Sequence, residues 1–495
     1  MPKETSTTIA IIGGGFSGSM VATHLLQTAT CPLNIKLIER NSLVGRGVAY
    51  GTYSPYHLLN VPAGEISAFP NNPDHFLHWV QRQNYTIGNF VTTEVTANTF
   101  VPRQIYGAYV QATLDEAETT APDYVCLERI NDEAIAIEPG TTGASVYLNS
   151  GQIIQADRIV LPLGNFPPTD PPLKERSFYK SSRYKSNAYS AEATCDLDPD
   201  DPVLLIGSGL TMVDLTLTLS QQGHRGKIYV VSRRGLLPHA HKEIAPILSF
   251  VSTDTAPKTI RALMRLVRQQ VQTKATQGQD WRAVIKSLRP VTQDLWQALT
   301  LSEQQRFLRH VRPYWDIHRH RIAPLVAEVV DKLLSSGQLV VHAARIQAYH
   351  EDSHGVDVTL RARYTTDDIV LRVSRAINCT GPTSNYEKLE HPLVNNLRSQ
   401  GLLCAHALKM GISTAANGAL KDARGAASEA LYTLGPTRLG DLWETIGVPD
   451  IREQAMALAI ELLSGLENRS INGIASVPDN SLVKADFKTK SSLRS

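Results

Sequence analysis

Residues Ile9 to Gly18 read Ile-Ala-Ile-Ile-Gly-Gly-Gly-Phe-Ser-Gly, and Val203 to Met212 read Val-Leu-Leu-Ile-Gly-Ser-Gly-Leu-Thr-Met. In each, an apolar β-branched run meets closely spaced glycines and then a helix-forming stretch. Glycines let the backbone approach a pyrophosphate, and the following helix offers unpaired N–H groups and its positive end to the phosphate charge. The first candidate set is Gly13, Gly15, Phe16, Ser17 and Gly18; the second is Gly207, Gly209, Leu210 and Thr211. One such loop is a weak signal. Two in one chain suggest electron transfer between a tightly held flavin and an exchangeable nicotinamide.

The two sites differ at the end of their second strand. A strand expected over Asn34–Ile38 ends at Glu39, 21 residues beyond Gly18, followed by Arg40. A carboxylate there suits the ribose hydroxyls of a dinucleotide without a 2′-phosphate, which points to FAD. The strand expected over Lys227–Val231 ends instead in Ser232-Arg233-Arg234-Gly235. Two guanidiniums and a hydroxyl suit a 2′-phosphate, so NADPH is expected there. Met212 stands at the third glycine position, which predicts a wider spacing of helix and strand than the motif normally has.

His310, His318 and His320 flank Asp316 in a stretch that also holds Arg312, Arg319 and Arg321. The arginines oppose a cation, so no metal is expected, and His318, Arg319 and His320 are read as substrate-binding. Five scattered cysteines without a Cys-x-x-Cys pair exclude a redox dithiol.

Around these residues the chain alternates strands and helices. The expected fold class is α/β: two dinucleotide-binding Rossmann-like domains, for FAD and NADP, with an inserted helical subdomain. The segments are 1–168 for the first part of the FAD domain, 195–254 and 336–372 for the NAD(P) domain, 255–335 for the insertion, 373–466 for the second part of the FAD domain, and 467–495 for a mobile tail. A helix is expected over Phe16–Thr28, strand-to-glycine turns at Gly164 and at Gly381-Pro382, a strand over Ala430–Leu434 and a last helix over Asp450–Leu463. The insertion carries 14 Lys and Arg against 6 Asp and Glu, while the whole chain has a formal charge of only +2. That excess suggests an anion handled nearby. Composition is ordinary for a soluble protein, and the start of the chain has no apolar signal core, so a cytoplasmic enzyme with neither membrane nor nucleic-acid partner is expected.

The paired loops, Gly45 to Thr52, His57 to Pro62, Phe100 to Arg103, Ser232 to Gly235, Trp315 to Arg321 and Trp443-Glu444 together resemble a bacterial group of FAD/NAD(P)-binding flavoproteins. This group includes FAD-dependent urate hydroxylases and aspartate N-monooxygenases. The resemblance spans roughly residues 7 to 463. The Phe-x-Gly-x-x-x-His-x-x-x-Trp run of Baeyer–Villiger-type and dimethylaniline-type monooxygenases is missing, and Pro162-Leu163-Gly164 stands where many flavoproteins have Ala-Thr-Gly.

The resemblance implies that Arg46, Tyr50, His57 and Asn60 lie along the flavin, His57 relaying a proton and Asn60 donating a hydrogen bond. Arg103 is read as reaching an FAD phosphate or a substrate carboxylate, or else as an ordinary surface ion pair, and Trp443 stands before a helix aimed at the flavin. The resemblance implies an FAD-dependent, NADPH-consuming monooxygenase that oxygenates a small polar, nitrogen-containing substrate with O2 through a flavin C4a-hydroperoxide. A reductase or dehydrogenase with the same cofactors, and a nucleic-acid-associated flavoprotein, stand as alternatives. Oligomeric state is not legible.

Overall fold

The computed structural model describes residues 6–83 and 94–474, built around two sheets with parallel centres. In the first, Thr7–Ile12 lies between Leu33–Ile38 and Arg158–Val160, parallel to both. Val125–Ile130 extends it on one side, and Ala427–Tyr432 followed by Ala419–Lys421 on the other. Ile9, Ala10 and Ile11 are wholly buried, as a central strand covered on both faces requires. Helix Phe16–Thr28 has the span expected, and every residue from Phe16 to Leu26 is buried. It packs against helices Arg103–Thr120 and Val448–Ile474.

The second sheet is centred on Val203–Ile206, parallel to Ile228–Ser232 on one side and Arg375–Asn378 on the other. Leu339–Glu351 pairs in parallel with Ile228–Ser232, and Val356–Ala362 and Asp368–Val373 follow antiparallel. This is the α/β class expected, with a helical insertion lodged in one crossover of the second sheet. No described helix is long and apolar enough to cross a membrane.

Three segment boundaries differ from the sequence reading. Arg375–Asn378, assigned to the FAD domain, is a strand of the second sheet, with Arg375 opposite Val203. An apolar run ending in a glycine turn looks alike in either sheet, so its pattern could not say which one it joins. Tyr184–Lys185 also joins the second sheet, ahead of the expected start at 195. Helix Pro324–Ser335, assigned to the insertion, buries Val326, Val330 and Leu333 against Val203, Leu205 and Met212. It is the crossover helix that a parallel strand pair requires.

The last helix runs from Val448 to Ile474, into the segment expected to be tail. The rest of that segment, 475–495, lies outside the described residues.

Candidate functional site

The first glycine loop is a backbone cradle with no room for side chains. A Cβ on Gly18 would stand 1.9 Å from the Gly13 carbonyl oxygen, and Gly13, at φ +122°, would place one 2.6 Å from the Pro162 oxygen. Glu39 reaches the loop: Oε2 accepts from the Gly14 N–H at 2.7 Å, and Oε1 from the Asn41 N–H at 2.9 Å. The Gly45–Tyr50 segment lies across the same loop, tied by the Gly45 N–H to the Gly14 oxygen at 2.7 Å. Tyr50 packs on Phe16 and Tyr106, and burial raises its phenol pKa. Arg46 donates to Gln111 at 3.1 Å, while Arg40 lies 3.4 Å from Glu133 at the surface.

The second loop repeats the cradle. Gly207 has φ +108°, and a Cβ there would meet the Cys379 oxygen at 2.6 Å. The Gly381-Pro382 turn therefore follows the strand beside the second loop, which corrects its expected place in the FAD domain. Gly164, at φ +63°, stands in the neighbouring crossover, where Phe166 bridges to Thr383. Met212 is fully buried in the apolar core of the second domain, with Val203 and Leu205.

The Ser232 to Arg234 trio divides into three roles. Ser232 Oγ accepts from the Gly235 N–H at 3.0 Å and from Ser208 Oγ at 2.9 Å, so it braces the strand end. Arg234 donates to the Tyr314 hydroxyl at 3.2 Å with its guanidinium over that ring. Arg233 is exposed and has no partner among the described residues.

His57 and Arg103 both reach across to the second-domain helix Leu210–Gln221. His57 is 2% exposed, with Nδ1 2.6 Å from Thr52 Oγ1 and Nε2 2.9 Å from Thr218 Oγ1 on the second-domain helix Leu210–Gln221. Burial lowers its pKa, so it is a neutral bridge between hydroxyls rather than a relay near its ordinary pKa. Arg103 lies 2.9 Å from Asp214 on that same helix and donates to the Leu58 oxygen at 3.1 Å. The Tyr189 hydroxyl donates to Asp214 at 2.7 Å. Burial works against the charge on Arg103, but Asp214 and Tyr189 outweigh it and raise its pKa. Its charge is thus matched inside the protein, leaving little to offer a phosphate.

Asn60 offers its backbone oxygen to His241 Nε2 at 2.9 Å, and its side-chain amide has no partner among the described residues. Burial lowers the His241 pKa to about 4.

The Trp315–Arg321 motif closes around Glu444, which is 6% exposed. Trp315 Nε1 donates to it at 2.8 Å, and Arg319 lies 3.3 Å away. Burial opposes its charge, yet Arg319, His320 and the indole donor hold the carboxyl below its ordinary pKa. His320 is held down by burial. His318 turns elsewhere, with Nδ1 2.7 Å from the Tyr314 oxygen and its ring against His239 and Trp281. The three residues read as one substrate set thus face two environments. At the start of the last helix Asp450 already occupies the first turn, 3.7 Å from Arg289, and meets the helix's positive end. No group of three or more metal-ligating side chains is assembled among the described residues.

The sequence reading missed Asp214, Thr218 and Tyr189. Only the apposition of two domains reveals them, although Asp214, the one charged residue of a helix that is buried over most of its length, was a signal.

Residues 10–166 match the family described as FAD-NAD(P)-binding. The L-aspartate N-monooxygenase (nitrosuccinate-forming) of Streptomyces davaonensis is 27% identical over 293 residues, a match covering 48% of this chain and 45% of that protein. The chain therefore spans about half the length of that relative. The ornithine hydroxylase of Pseudomonas aeruginosa superposes with a TM-score of 0.62 at 13% identity, covering 93% of this chain and 99% of its own. The cadaverine monooxygenase of Erwinia amylovora, in a structure bound to FAD, gives a TM-score of 0.61 at 12% identity, covering 99% and 100%. At these identities the likeness is one of fold, and it extends over both nucleotide domains and the insertion.

Proposed function

From an FAD-NAD(P)-binding domain within the fold of the flavin N-hydroxylating enzymes, we propose that this protein is an FAD-dependent, NADPH-consuming monooxygenase acting on an amine nitrogen. The observation that carries this reading is the pair of glycine cradles in one chain with different chemistry at their strand ends. Glu39 stands at the first, and Arg233, without a partner among the described residues, at the second. FAD would occupy the first, against Gly13–Gly18, Glu39 and the Gly45–Tyr50 segment, and NADPH the second, against Gly207–Thr211 and Arg233. Bound there, FAD supplies two-electron transfer from NADPH and the activation of O2. One oxygen atom enters the substrate N–H bond and the other leaves as water, with NADPH and a proton supplying the two electrons and two hydrogens.

The protein's part is positional. The Arg103–Asp214 and His57–Thr218 contacts fix the angle between the nucleotide domains, which sets how the nicotinamide meets the flavin. Asn60, with a free amide on the segment beside the first cradle, is placed to donate to the flavin or to bound oxygen. Kinship to an aspartate-oxidising relative supports a nitrogen substrate.

The test scores NADPH oxidation, O2 uptake, peroxide release and hydroxylamine formation together over a panel of amines. Under the proposal, a true substrate raises NADPH consumption while lowering the peroxide fraction. A protein that consumes NADPH equally well without O2, given another acceptor, is a reductase instead.

A further inference from the structure

A cavity of about 780 Å3, open on one side, lies among the helices of the insertion, and of the expected cofactor contacts only Trp443 borders it. Four of the chain's five tryptophans, Trp281, Trp296, Trp315 and Trp443, line it. Apolar residues of helix Ile260–Thr276, Met264 and Val267 among them, form another wall. Pockets of this size and lining commonly hold a compact organic molecule, with a few polar groups fixing its orientation.

Two polar groups stand ready. Trp296 Nε1 donates to the Gly440 oxygen at 2.8 Å and Trp315 Nε1 to Glu444, but Trp443 Nε1, in a residue 6% exposed, is buried without a hydrogen-bond partner among the described residues. Trp443 is also held at φ +62°, ψ −75°, in a tight turn closed by the Glu444 N–H on the Leu442 oxygen at 2.9 Å. That geometry is rare for a bulky residue and is retained where surrounding structure imposes it, often at ligand clamps. The second group is His318, which lines the cavity. Its Nδ1 faces the Tyr314 oxygen, so Nδ1 carries the proton and Nε2 is left as an acceptor.

The wall common to this cavity and the candidate site is helix Arg312–Arg319. Its Tyr314, Trp315 and His318 line the cavity, while Tyr314 holds Arg234 at the second cradle and Trp315 holds Glu444.

We propose that this cavity is the substrate's binding chamber, and that the substrate is an amine with an aromatic body and an oxygen acceptor. The body stacks among the indoles, the oxygen accepts from Trp443 Nε1, and the amine donates to His318. An ammonium form gains cation–π attraction from the same rings. A short polar amine would leave the indole faces uncovered. This inference rests on the monooxygenase reading for the word substrate, but binding can be measured without turnover.

The probes are tryptamine, its hydroxylated analogue serotonin, and the straight diamine putrescine, titrated calorimetrically into the FAD-reconstituted full chain. We expect saturable binding of both indole amines, tighter for serotonin, and at least about tenfold weaker binding of putrescine. Val267→Trp, which fills the cavity, should abolish the indole amines' binding. Trp443→Phe, which keeps the ring but removes the donor, should erase serotonin's advantage over tryptamine while sparing tryptamine, a pattern that general loss of structure does not give. Absence of saturable binding by either indole amine, or Val267→Trp binding like the parent, overturns the proposal. So does a change of oligomeric state in Val267→Trp with amine binding intact, because the cavity is then covered by a second copy. If the indole amines bind as expected yet no amine is oxygenated, the chamber stands and the monooxygenase reading fails.

Discussion

A glycine in a nucleotide loop can be required for its conformation, for the space it leaves, or for neither, and the two loops contain different cases. At Gly18 a methyl group would stand 1.9 Å from the Gly13 oxygen, whereas at Gly209 it would meet nothing within 4 Å. Gly18→Ala should therefore push the loop open and lower the flavin retained per purified chain by at least about tenfold, equivalent to about 1.4 kcal/mol. Gly209→Ala should fold normally and keep its flavin, so that any effect falls on NADPH alone. Visible absorbance against protein concentration decides between them, and equal flavin in the parent and Gly18→Ala would remove FAD from the first cradle.

The two strand-end arginines divide in the same way. Arg233 has no partner among the described residues, while Arg234 already rests on Tyr314. Arg233→Ala should raise the KM for NADPH by about tenfold and leave that for NADH nearly unchanged, with a smaller effect from Arg234→Ala. An equal rise for both nucleotides would mean that Arg233 does not read a 2′-phosphate.

At the scale of elements, the second-domain helix Leu210–Gln221 ties the domains together through Asp214 and Thr218. Arg103 and Asp214 are 14% and 7% exposed at their side chains, so removing one partner leaves an unmatched buried charge. Arg103→Met should cost about 3–5 kcal/mol, read as a shift in the urea midpoint. The double variant Arg103→Met with Asp214→Leu should recover much of that loss, because the desolvated charges leave together. If the double variant is as unstable as the sum of the singles, the pair is not coupled. The same contact shows where sequence reasoning stops. Helix Phe16–Thr28 and the central strands were legible because glycine spacing and apolar periodicity are local signals. Arg103 was left between a ligand contact and an ion pair because its partner lies 111 residues away, and no local pattern announces which helix will face it. Arg375–Asn378 was misassigned for the same reason, since the pattern specifies a buried strand but not its neighbours.

At the scale of the molecule, the packing of segments from different domains excludes water from several imidazoles, and this gives stability a pH dependence. His57 joins the two domains, His24 packs in the first, and His241 connects the stretch after the second cradle to the Asn60 oxygen. Burial lowers all three pKa values, to about 4 for His24 and His241. In the unfolded chain each takes up its proton near pH 6.5, so between that pH and about 4 the unfolded state holds more protons than the folded one. Stability is then fully present above about pH 6.5 and declines as pH falls toward 4, steepening as each further histidine charges in the unfolded chain. His241→Gln keeps a donor for the Asn60 oxygen but cannot take up a proton. Its urea midpoint should therefore fall less than the parent's over that window, while the two stay close at neutral pH. Parallel pH profiles for parent and variant would show that His241 titrates alike in both states, and hence that the junction between the Asn60 loop and the second domain is open to water.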